Sequence, residues 1–299
     1  MSILALLAPD FILIALGFAL RRAFAYPDEF WVGLEKVVYF VLFPALLFKA
    51  LSQARIETGP AITLLETTLL ATSIVMVLAW AARWFFAASA SSHASAFQCA
   101  FRFNSYVGFA VLGRLHGDTG IAAMAILQSL MVPLVNVVAV WALARHAKSG
   151  IGRELVRNPL IIATLAGIAW NVSGAPLPSV AADTLGLLAQ AALPLGLIAV
   201  GASTRTAGTH SHAGLTAYLS VLKLIALPTC AWFIAHALGV SGLYREAAVL
   251  FAALPAAPTS FILASRMGGD GPLVARILTV QIVAAAATLT LWLALLARY

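Results

Sequence analysis

The chain has 299 residues, of which 62% are hydrophobic and only 10% are charged, and its formal net charge at pH 7 is +7. A mean hydropathy of +0.98 excludes an ordinary soluble globular protein, which exposes far more charged side chains, and indicates a polytopic membrane protein. The positive charge does not indicate a nucleic-acid partner, because the lysines and arginines stand at the ends of apolar segments and not among stacking aromatic residues.

Ten apolar segments follow one another along the chain, and each is about long enough to cross a bilayer as a helix. They are predicted near residues 3–20, 33–51, 61–82, 94–114, 119–143, 158–174, 182–203, 214–239, 246–265 and 273–296. Because no basic residue precedes Arg21 and no small-residue cleavage site follows, the first segment is interpreted as a span and not as a cleaved signal peptide.

The distribution of basic residues predicts the orientation in the membrane. The longest loop, residues 145–158 at the centre of the chain, holds four basic residues against Glu154, namely Arg145, Lys148, Arg153 and Arg157. Cytoplasmic loops carry an excess of lysine and arginine. We therefore expect this loop in the cytoplasm and both termini outside.

The two halves of the chain repeat each other weakly. Matching pairs at offsets of 150 and 152 residues are Gly17 and Gly167, Pro44 and Pro194, Arg114 and Arg266, and Asp118 and Asp270. Residues 1–150 and 151–299 are therefore predicted to be two copies of one five-span unit. Because five is an odd number, the second copy enters the membrane from the opposite side, and the repeat is inverted.

Two of the predicted spans contain residues that a regular membrane helix does not accommodate. The fourth holds four polar residues in its middle, namely Arg102, Asn104, Ser105 and Tyr106. The ninth holds two prolines and then two hydroxyl side chains, namely Pro255, Pro258, Thr259 and Ser260. A break at membrane depth is tolerated where protein or a watery cavity surrounds it, and the helix N-terminus that it creates attracts an anion. Two crossing breaks predict an anion site near the midplane.

The alternative is a pair of proline kinks whose polar neighbours form hydrogen bonds with other helices. We prefer that alternative for the prolines that stand singly in their spans, at positions 44, 133, 194 and 228. We prefer the functional interpretation for the segments around Asn104 and Pro255, because they occupy corresponding positions in the two halves.

Polar and ionisable side chains in the spans are further candidates. Arg102 could bind a carboxylate through two hydrogen bonds, or it could pair permanently with an acid. Glu66 in the third span could hold a proton or a sodium ion, or pair with Arg102 or Lys223, and Lys223 is expected to pair or to extend toward the interface. Three amide side chains could line the cavity or join helices, namely Gln128, Asn136 and Gln281.

Four stretches, in this order and spacing, carry a resemblance over nearly the whole chain. They are residues 37–48, residues 158–162 with Gly167, residues 193–195 with Gly201, and residues 255–260 with Gly269 and Asp270. Through them the sequence resembles the auxin efflux carrier family in its short bacterial form. In that family a proline usually follows the asparagine of the fourth span in a Gly-x-Pro motif, and here Gly108-Phe109-Ala110 lacks it.

The resemblance implies an all-helical fold of ten spans with crossed, broken fourth and ninth helices, related to bile-acid symporters and sodium/proton antiporters. It implies a scaffold of residues 1–57 and 151–207 and a transport domain of residues 58–150 and 208–299, which moves as an elevator. Asn104 matches the asparagine that contacts the substrate in the family.

The resemblance further implies a secondary transporter of small carboxylates, such as malonate or malate, or of an auxin-like compound. We expect it in a bacterial inner membrane, as a homodimer through the scaffold, without a cofactor and with possible coupling to H⁺ or Na⁺.

The alternatives are an organic-anion channel or uniport facilitator and, less favoured, a membrane-embedded enzyme. Duplicated broken helices favour alternating access over a channel. The chain lacks the His-Glu-x-x-His motif of zinc proteases, and it completes neither Gly-x-Ser-Gly at Ser173 nor Gly-x-Gly-Asp at Asp270. Cys99 and Cys230 lie in apolar segments and suggest neither a disulfide nor a metal site.

Overall fold

The computed structural model describes residues 3–24, 26–53, 58–144, 159–203 and 212–298. Within these ranges the regular structure is helical and contains no strand. Six helical segments of the described chain are long and apolar enough to cross a membrane, namely Asp28–Gln53, Ala61–Trp84, Ala90–Leu143, Ser179–Ala202, Ala213–Ala237 and Gly271–Leu296. The predicted class, an all-helical polytopic membrane protein, is thus confirmed. The central loop that was predicted to be cytoplasmic lies outside the described residues.

The residues of the first half that the structure describes contain six helices, which we number in chain order. Their bounds are α1 Ile3–Ala23, α2 Asp28–Val37, α3 Phe43–Gln53, α4 Thr58–Ala81, α5 Ala90–Phe97 and α6 Ser105–Ala144. A π-helical turn, Val38–Leu42, joins α2 to α3. Short 3₁₀ turns extend α4 over Ala82–Trp84 and α5 over Gln98–Ala100.

The described residues of the second half, 159–203 and 212–298, contain seven helices. Their bounds are α7 Pro159–Ser173, α8 Ser179–Ser203, α9 Ala213–Val221, α10 Leu227–Ala237, α11 Gly242–Ala253, α12 Thr259–Arg266 and α13 Gly271–Leu296. A second π-helical turn, Leu222–Ala226, joins α9 to α10.

Helix α6 is divided at Gly117. Its 40 residues would measure about 60 Å as one straight helix, which is twice the hydrocarbon thickness of a bilayer. Gly117 has φ 58° and ψ −140°, a conformation that glycine adopts without the steric cost of a Cβ. The helix therefore turns where the sequence predicts a connection between the fourth and fifth spans.

The two π-helical turns accommodate prolines. Each turn ends two residues before a proline, at Leu42 before Pro44 and at Ala226 before Pro228. A proline in a helix has no N–H and clashes with the carbonyl four residues earlier, so a locally widened helix relieves the clash. The carbonyl of Leu224, which Pro228 leaves without its helical donor, accepts a hydrogen bond of 3.0 Å from the Trp292 indole. The structural interpretation of the four single prolines stays a prediction.

The described chain forms two compact units, and each draws on both halves of the sequence. The first unit contains the described parts of residues 1–61, 106–129 and 152–203, and the second contains those of residues 62–105, 130–151 and 204–299. This division is geometric, whereas the predicted scaffold and transport domain are defined by movement and stay a prediction.

Glycines bring helix backbones together in the first unit. A Cβ atom on Gly17 of α1 would collide with the carbonyl of Ile198 in α8, and one on Gly167 of α7 would meet the backbone of Phe48 in α3. Small residues permit such close approach between membrane helices. Gly167 lies 150 residues after Gly17, and Phe48 lies 150 residues before Ile198, so the two contacts have the spacing of the predicted repeat.

Candidate functional site

Two helical segments are interrupted at residues that belong to the second unit. In the first, α5 with its 3₁₀ turn ends at Ala100 and α6 begins at Ser105, which leaves residues 101–104 without helical structure. In the second, α11 ends at Ala253 and α12 begins at Thr259, which leaves residues 254–258 outside a helix. Proline and polar side chains stand at these positions, as the sequence indicated.

The two interruptions contact each other through the main chain. The backbone N–H of Asn104 donates a hydrogen bond of 2.8 Å to the carbonyl oxygen of Pro255. Asn104 is fully buried, and so are the residues on either side of Pro255. Buried backbone groups must find partners, and here each break supplies a partner that the other has lost by leaving the helix.

Gln281 of α13 joins the same two breaks through its side chain. Its Oε1 accepts a hydrogen bond of 2.9 Å from the backbone N–H of Ala256, and its Nε2 donates one of 3.1 Å to the carbonyl of Cys99. The side chain is fully buried. One amide therefore satisfies a donor of the second break and an acceptor beside the first.

Arg102 lies inside the first break, and its guanidinium donates hydrogen bonds to three side chains. Its Nη1 donates to Oε1 of Gln98 at 2.9 Å, and its Nη2 donates to Oδ1 of Asn136 at 2.9 Å and to Oγ1 of Thr259 at 3.2 Å. All three acceptors are neutral. The guanidinium is 8% exposed and thus brings its positive charge into the protein beside the start of α12.

Lys223 is the second buried basic residue of this unit. It is fully buried in the π-helical turn, and its Nζ donates a hydrogen bond of 3.1 Å to the carbonyl of Ala252. Ala252 lies in the last turn of α11, where the helix dipole is negative and favours a cation. The expectation that Lys223 extends toward the interface is wrong, because the helix end beside the break provides its acceptor inside the protein.

The charge balance of this region is positive. Among the described residues of the second unit, the buried ones with a formal charge are Arg102 and Lys223. Helix α12, which begins after the second break at Thr259, adds the positive end of its dipole. Thr259, one of the acceptors of Arg102, is exposed, so a solute can approach this side of the cluster from outside the protein. The arrangement favours a small anion.

Ser260 adds a hydroxyl group to this cluster. Its side chain is fully buried, and its Oγ has no hydrogen-bond partner among the residues that the structure describes. Its carbonyl accepts a hydrogen bond of 3.2 Å from Nε2 of Gln98. The sequence analysis did not select Gln98 as a site residue. Its spacing of four residues from Arg102 was the available signal, because residues four apart in a helix lie on the same face.

The remaining predicted residues have different surroundings. Pro258 precedes the first residue of α12, and Ser105 is the first residue of α6. Tyr106 and Gln128 belong to the first unit. The Tyr106 ring packs edge-on against Phe43, with centroids 4.8 Å apart. Gln128 is buried, and neither polar atom of its amide has a hydrogen-bond partner in the described chain.

Glu66 lies on the exposed side of α4. None of the ion pairs formed by the described residues includes it. The sequence left open a pairing of Glu66 with Arg102 or Lys223, but the hydrogen bonds described for those two residues go to neutral groups. Ala110, which stands where the resembling family usually has proline, is buried within helix α6.

A separate cavity of about 410 Å³ lies within the first unit. Arg114 and Asp10 meet at its wall, with Nη2 2.5 Å from Oδ1 and Nε 3.3 Å from Oδ2, and Asp10 is buried. Lys49 also lines the cavity. The Arg114 guanidinium therefore holds the buried Asp10 carboxylate.

Comparison with known proteins adds a family match and several relatives. The family described as membrane transport protein matches residues 143–293. The "Putative malonate transporter" of Rhizobium meliloti is 26% identical over 292 residues, which cover 89% of this chain and 87% of that protein. The "Uncharacterized transporter YfdV" of Escherichia coli K12 is 26% identical over 87% of each chain. The "Probable auxin efflux carrier component 5c" of Oryza sativa is 28% identical over 42% of this chain and 34% of its own length.

Proposed function

The chain belongs to the auxin efflux carrier family of membrane transport proteins, and we propose that it moves small carboxylate anions across a bacterial inner membrane by alternating access. The observation that carries this proposal is the contact between two interrupted helices at Asn104 and Pro255, with Arg102 and Lys223 buried in the same unit. Broken helices that meet near the midplane are how many secondary transporters bind their substrates.

The chemistry of the site supports an anion as the substrate. Arg102 now donates to three neutral acceptors, and a carboxylate is a better acceptor because charge-assisted hydrogen bonds are stronger. The Ser260 hydroxyl and the Asn104 side chain lie at the same two breaks. In our proposal the substrate carboxylate binds beside Arg102 and the start of α12, and these two side chains contribute hydrogen bonds.

Malonate and similar short dicarboxylates are the first substrates to test. The relative named for malonate aligns with 89% of this chain, whereas the rice protein named for auxin efflux aligns with 42% of it. Two buried cations in one unit also suit a dianion better than a monoanion. An auxin-like monocarboxylate is the second candidate.

For the mechanism, we propose ten spans arranged as an inverted repeat, with residues 1–150 and 151–299 as its copies. The equivalent glycine contacts of Gly17 with Ile198 and of Gly167 with Phe48 support an internal two-fold relationship. In this proposal the scaffold consists of residues 1–57 and 151–207, and it forms the homodimer contact.

The transport domain in this proposal consists of residues 58–150 and 208–299, and it carries the crossing of the two breaks from one side of the membrane to the other. Both termini lie outside, and the central loop is cytoplasmic. Glu66 is our candidate for coupling to H⁺ or Na⁺, because it is an ionisable side chain within a predicted span.

Counterflow in proteoliposomes tests the proposal. Vesicles loaded with unlabelled malonate should transiently accumulate labelled malonate above its external concentration, because a carrier exchanges one for the other. A channel, which only dissipates gradients, gives no such overshoot, and an enzyme converts the compound. A uniport carrier also gives the overshoot, and the coupling experiments distinguish it from a coupled transporter. Repeating the assay with and without Na⁺, with a proton gradient and with Glu66→Gln tests the coupling. Absence of counterflow for every short mono- and dicarboxylate would refute the proposed function.

A further inference from the structure

Arg83 stands between two indole rings at the end of α4. Its Cζ lies 4.8 Å from the ring centroid of Trp80 and 4.7 Å from that of Trp84. Stacking of this kind uses the faces of the guanidinium and leaves the N–H groups at its edge available for hydrogen bonds. The two rings therefore hold the exposed, positively charged guanidinium of Arg83 in one orientation.

A cavity of about 470 Å³ opens beside this arginine, within the second unit. Arg83, both indoles and His93 line it, and the rest of its wall consists of alanines at positions 88, 90, 94 and 142. The small alanine side chains leave the space open. Nε2 of His93 lies 3.3 Å from the carbonyl of Ala79, which fixes the ring as part of the wall.

The position of the cavity along the chain indicates its depth in the membrane. The apolar segment Ala61–Trp84 is long enough to span the bilayer, and Arg83 stands at its last turn, where a spanning helix reaches the headgroups. Trp84 and Phe85 are 69% and 74% exposed. Exposed aromatic side chains beside a basic residue at a helix end are typical of the membrane interface.

We propose that this cavity binds the headgroup of an anionic phospholipid, such as phosphatidylglycerol. The phosphate accepts hydrogen bonds from the edge of the Arg83 guanidinium, and the glycerol with the first acyl carbons fills the apolar space between Trp80 and the alanines. A zwitterionic lipid binds more weakly because its ammonium group faces the positive guanidinium. With the N-terminus outside, the third predicted span, 61–82, ends on the cytoplasmic side, so Arg83 lies where anionic lipids attract basic residues.

This proposal does not depend on the proposed transport function, because the cavity shares no lining residue with the helix crossing. A free phosphate ester offers the same phosphate group but lacks the acyl chains. The apolar lining and the interfacial position therefore favour the lipid as the occupant.

Native mass spectrometry of the full chain in detergent, with phosphatidylglycerol or phosphatidylcholine added, tests the site. The wild type should retain phosphatidylglycerol in preference, and Arg83→Gln should reduce that preference about fivefold, because the cavity then lacks the guanidinium that donates hydrogen bonds to the phosphate. Arg22→Gln is the matched control, because Arg22 is an exposed arginine at another helix end, with Cζ 4.2 Å from the Phe18 ring centroid. It should leave the preference unchanged.

A cavity-filling variant provides a second test that keeps Arg83. Ala90 is exposed and lines the cavity, so Ala90→Leu should fill the space and lower phosphatidylglycerol retention while the protein stays monodisperse. The proposal is overturned if Arg83→Gln and Arg22→Gln change the preference equally, or if Ala90→Leu retains the lipid as the wild type does. It is also overturned if glycerol phosphate displaces the lipid at equal concentration.

Discussion

The backbone N–H of Asn104 lies 2.8 Å from the carbonyl oxygen of Pro255, so main-chain atoms join the two interrupted helices directly. Most side-chain substitutions at position 104 therefore leave this hydrogen bond in place. The side-chain amide of Asn104 can be removed to test binding without removing the contact that shapes the site.

For Asn104→Ala we expect weaker substrate binding in a folded protein. Loss of one hydrogen bond to a charged carboxylate should lower affinity by roughly tenfold, whereas the melting temperature should change little. Titration of malonate into purified wild type and variant, monitored by calorimetry, measures the affinity. Equal affinities in two monodisperse proteins would contradict the assignment of Asn104 to the site.

For Gln281→Leu we expect a loss of stability. The substitution leaves the N–H of Ala256 and the carbonyl of Cys99 buried without their partner, which costs about 2–4 kcal/mol. Thermal unfolding in detergent should show a melting temperature lower by several degrees. Val283→Ala on the same helix is the control, because Val283 is 70% exposed and should be nearly neutral. Similar unfolding of Gln281→Leu and wild type would mean that the amide does not hold the breaks together.

For Arg102→Gln we expect lower affinity for anions of every size tested. Removing the positive charge takes away the strongest donor to a carboxylate, so the loss should exceed tenfold. Arg102→Lys should restore only part of it, because a single ammonium cannot reproduce the planar fork that now contacts Gln98, Asn136 and Thr259. Arg145→Gln, in the central loop, should bind anions as the wild type does, and an equal loss there would argue against an intramembrane anion site.

Lys223→Met separates charge from packing. Methionine is long enough to fill most of the space of the buried lysine, and it removes the cost of burying an ammonium group, although the carbonyl of Ala252 loses a donor. We expect a folded protein whose anion affinity is lower by about fivefold, which corresponds to roughly 1 kcal/mol of long-range attraction. A dianion should lose more affinity than a monoanion. A variant that binds both anions as tightly as the wild type would show that Lys223 acts only on the end of α11.

Glycine substitutions test the packing of the first unit. Gly17→Ala and Gly167→Ala each place a methyl group against a neighbouring helix backbone, so we expect each to destabilise the protein by about 1–3 kcal/mol. Gly33→Ala is the control, because a Cβ there meets no atom within 4 Å and alanine is the better helix former. Melting temperatures of the three variants in one detergent compare them. A stable Gly17→Ala variant would mean that α1 and α8 can separate without cost.

Several features of the site could be predicted from the sequence because they depend on residues close together in the chain. The two prolines of the ninth span, and the run of polar residues around Asn104, disfavour a continuous helix wherever the chain folds. The turn at Gly117 follows in the same way from a short polar stretch between apolar segments. The partners of these segments were not predictable: Gln281 reaches Cys99 across 182 residues, and Arg114 reaches Asp10 across 104.

The sequence by itself determined the class of the protein and the positions of its interruptions, because hydropathy and proline geometry act on the chain locally. Only the tertiary structure decided the partners of the buried polar side chains. Arg102 donates to neutral acceptors, Lys223 donates to the last turn of α11 inside the protein, and Gln281 joins the two breaks. Polar groups inside a membrane protein must find partners, but which partner lies within 3 Å depends on how distant helices pack.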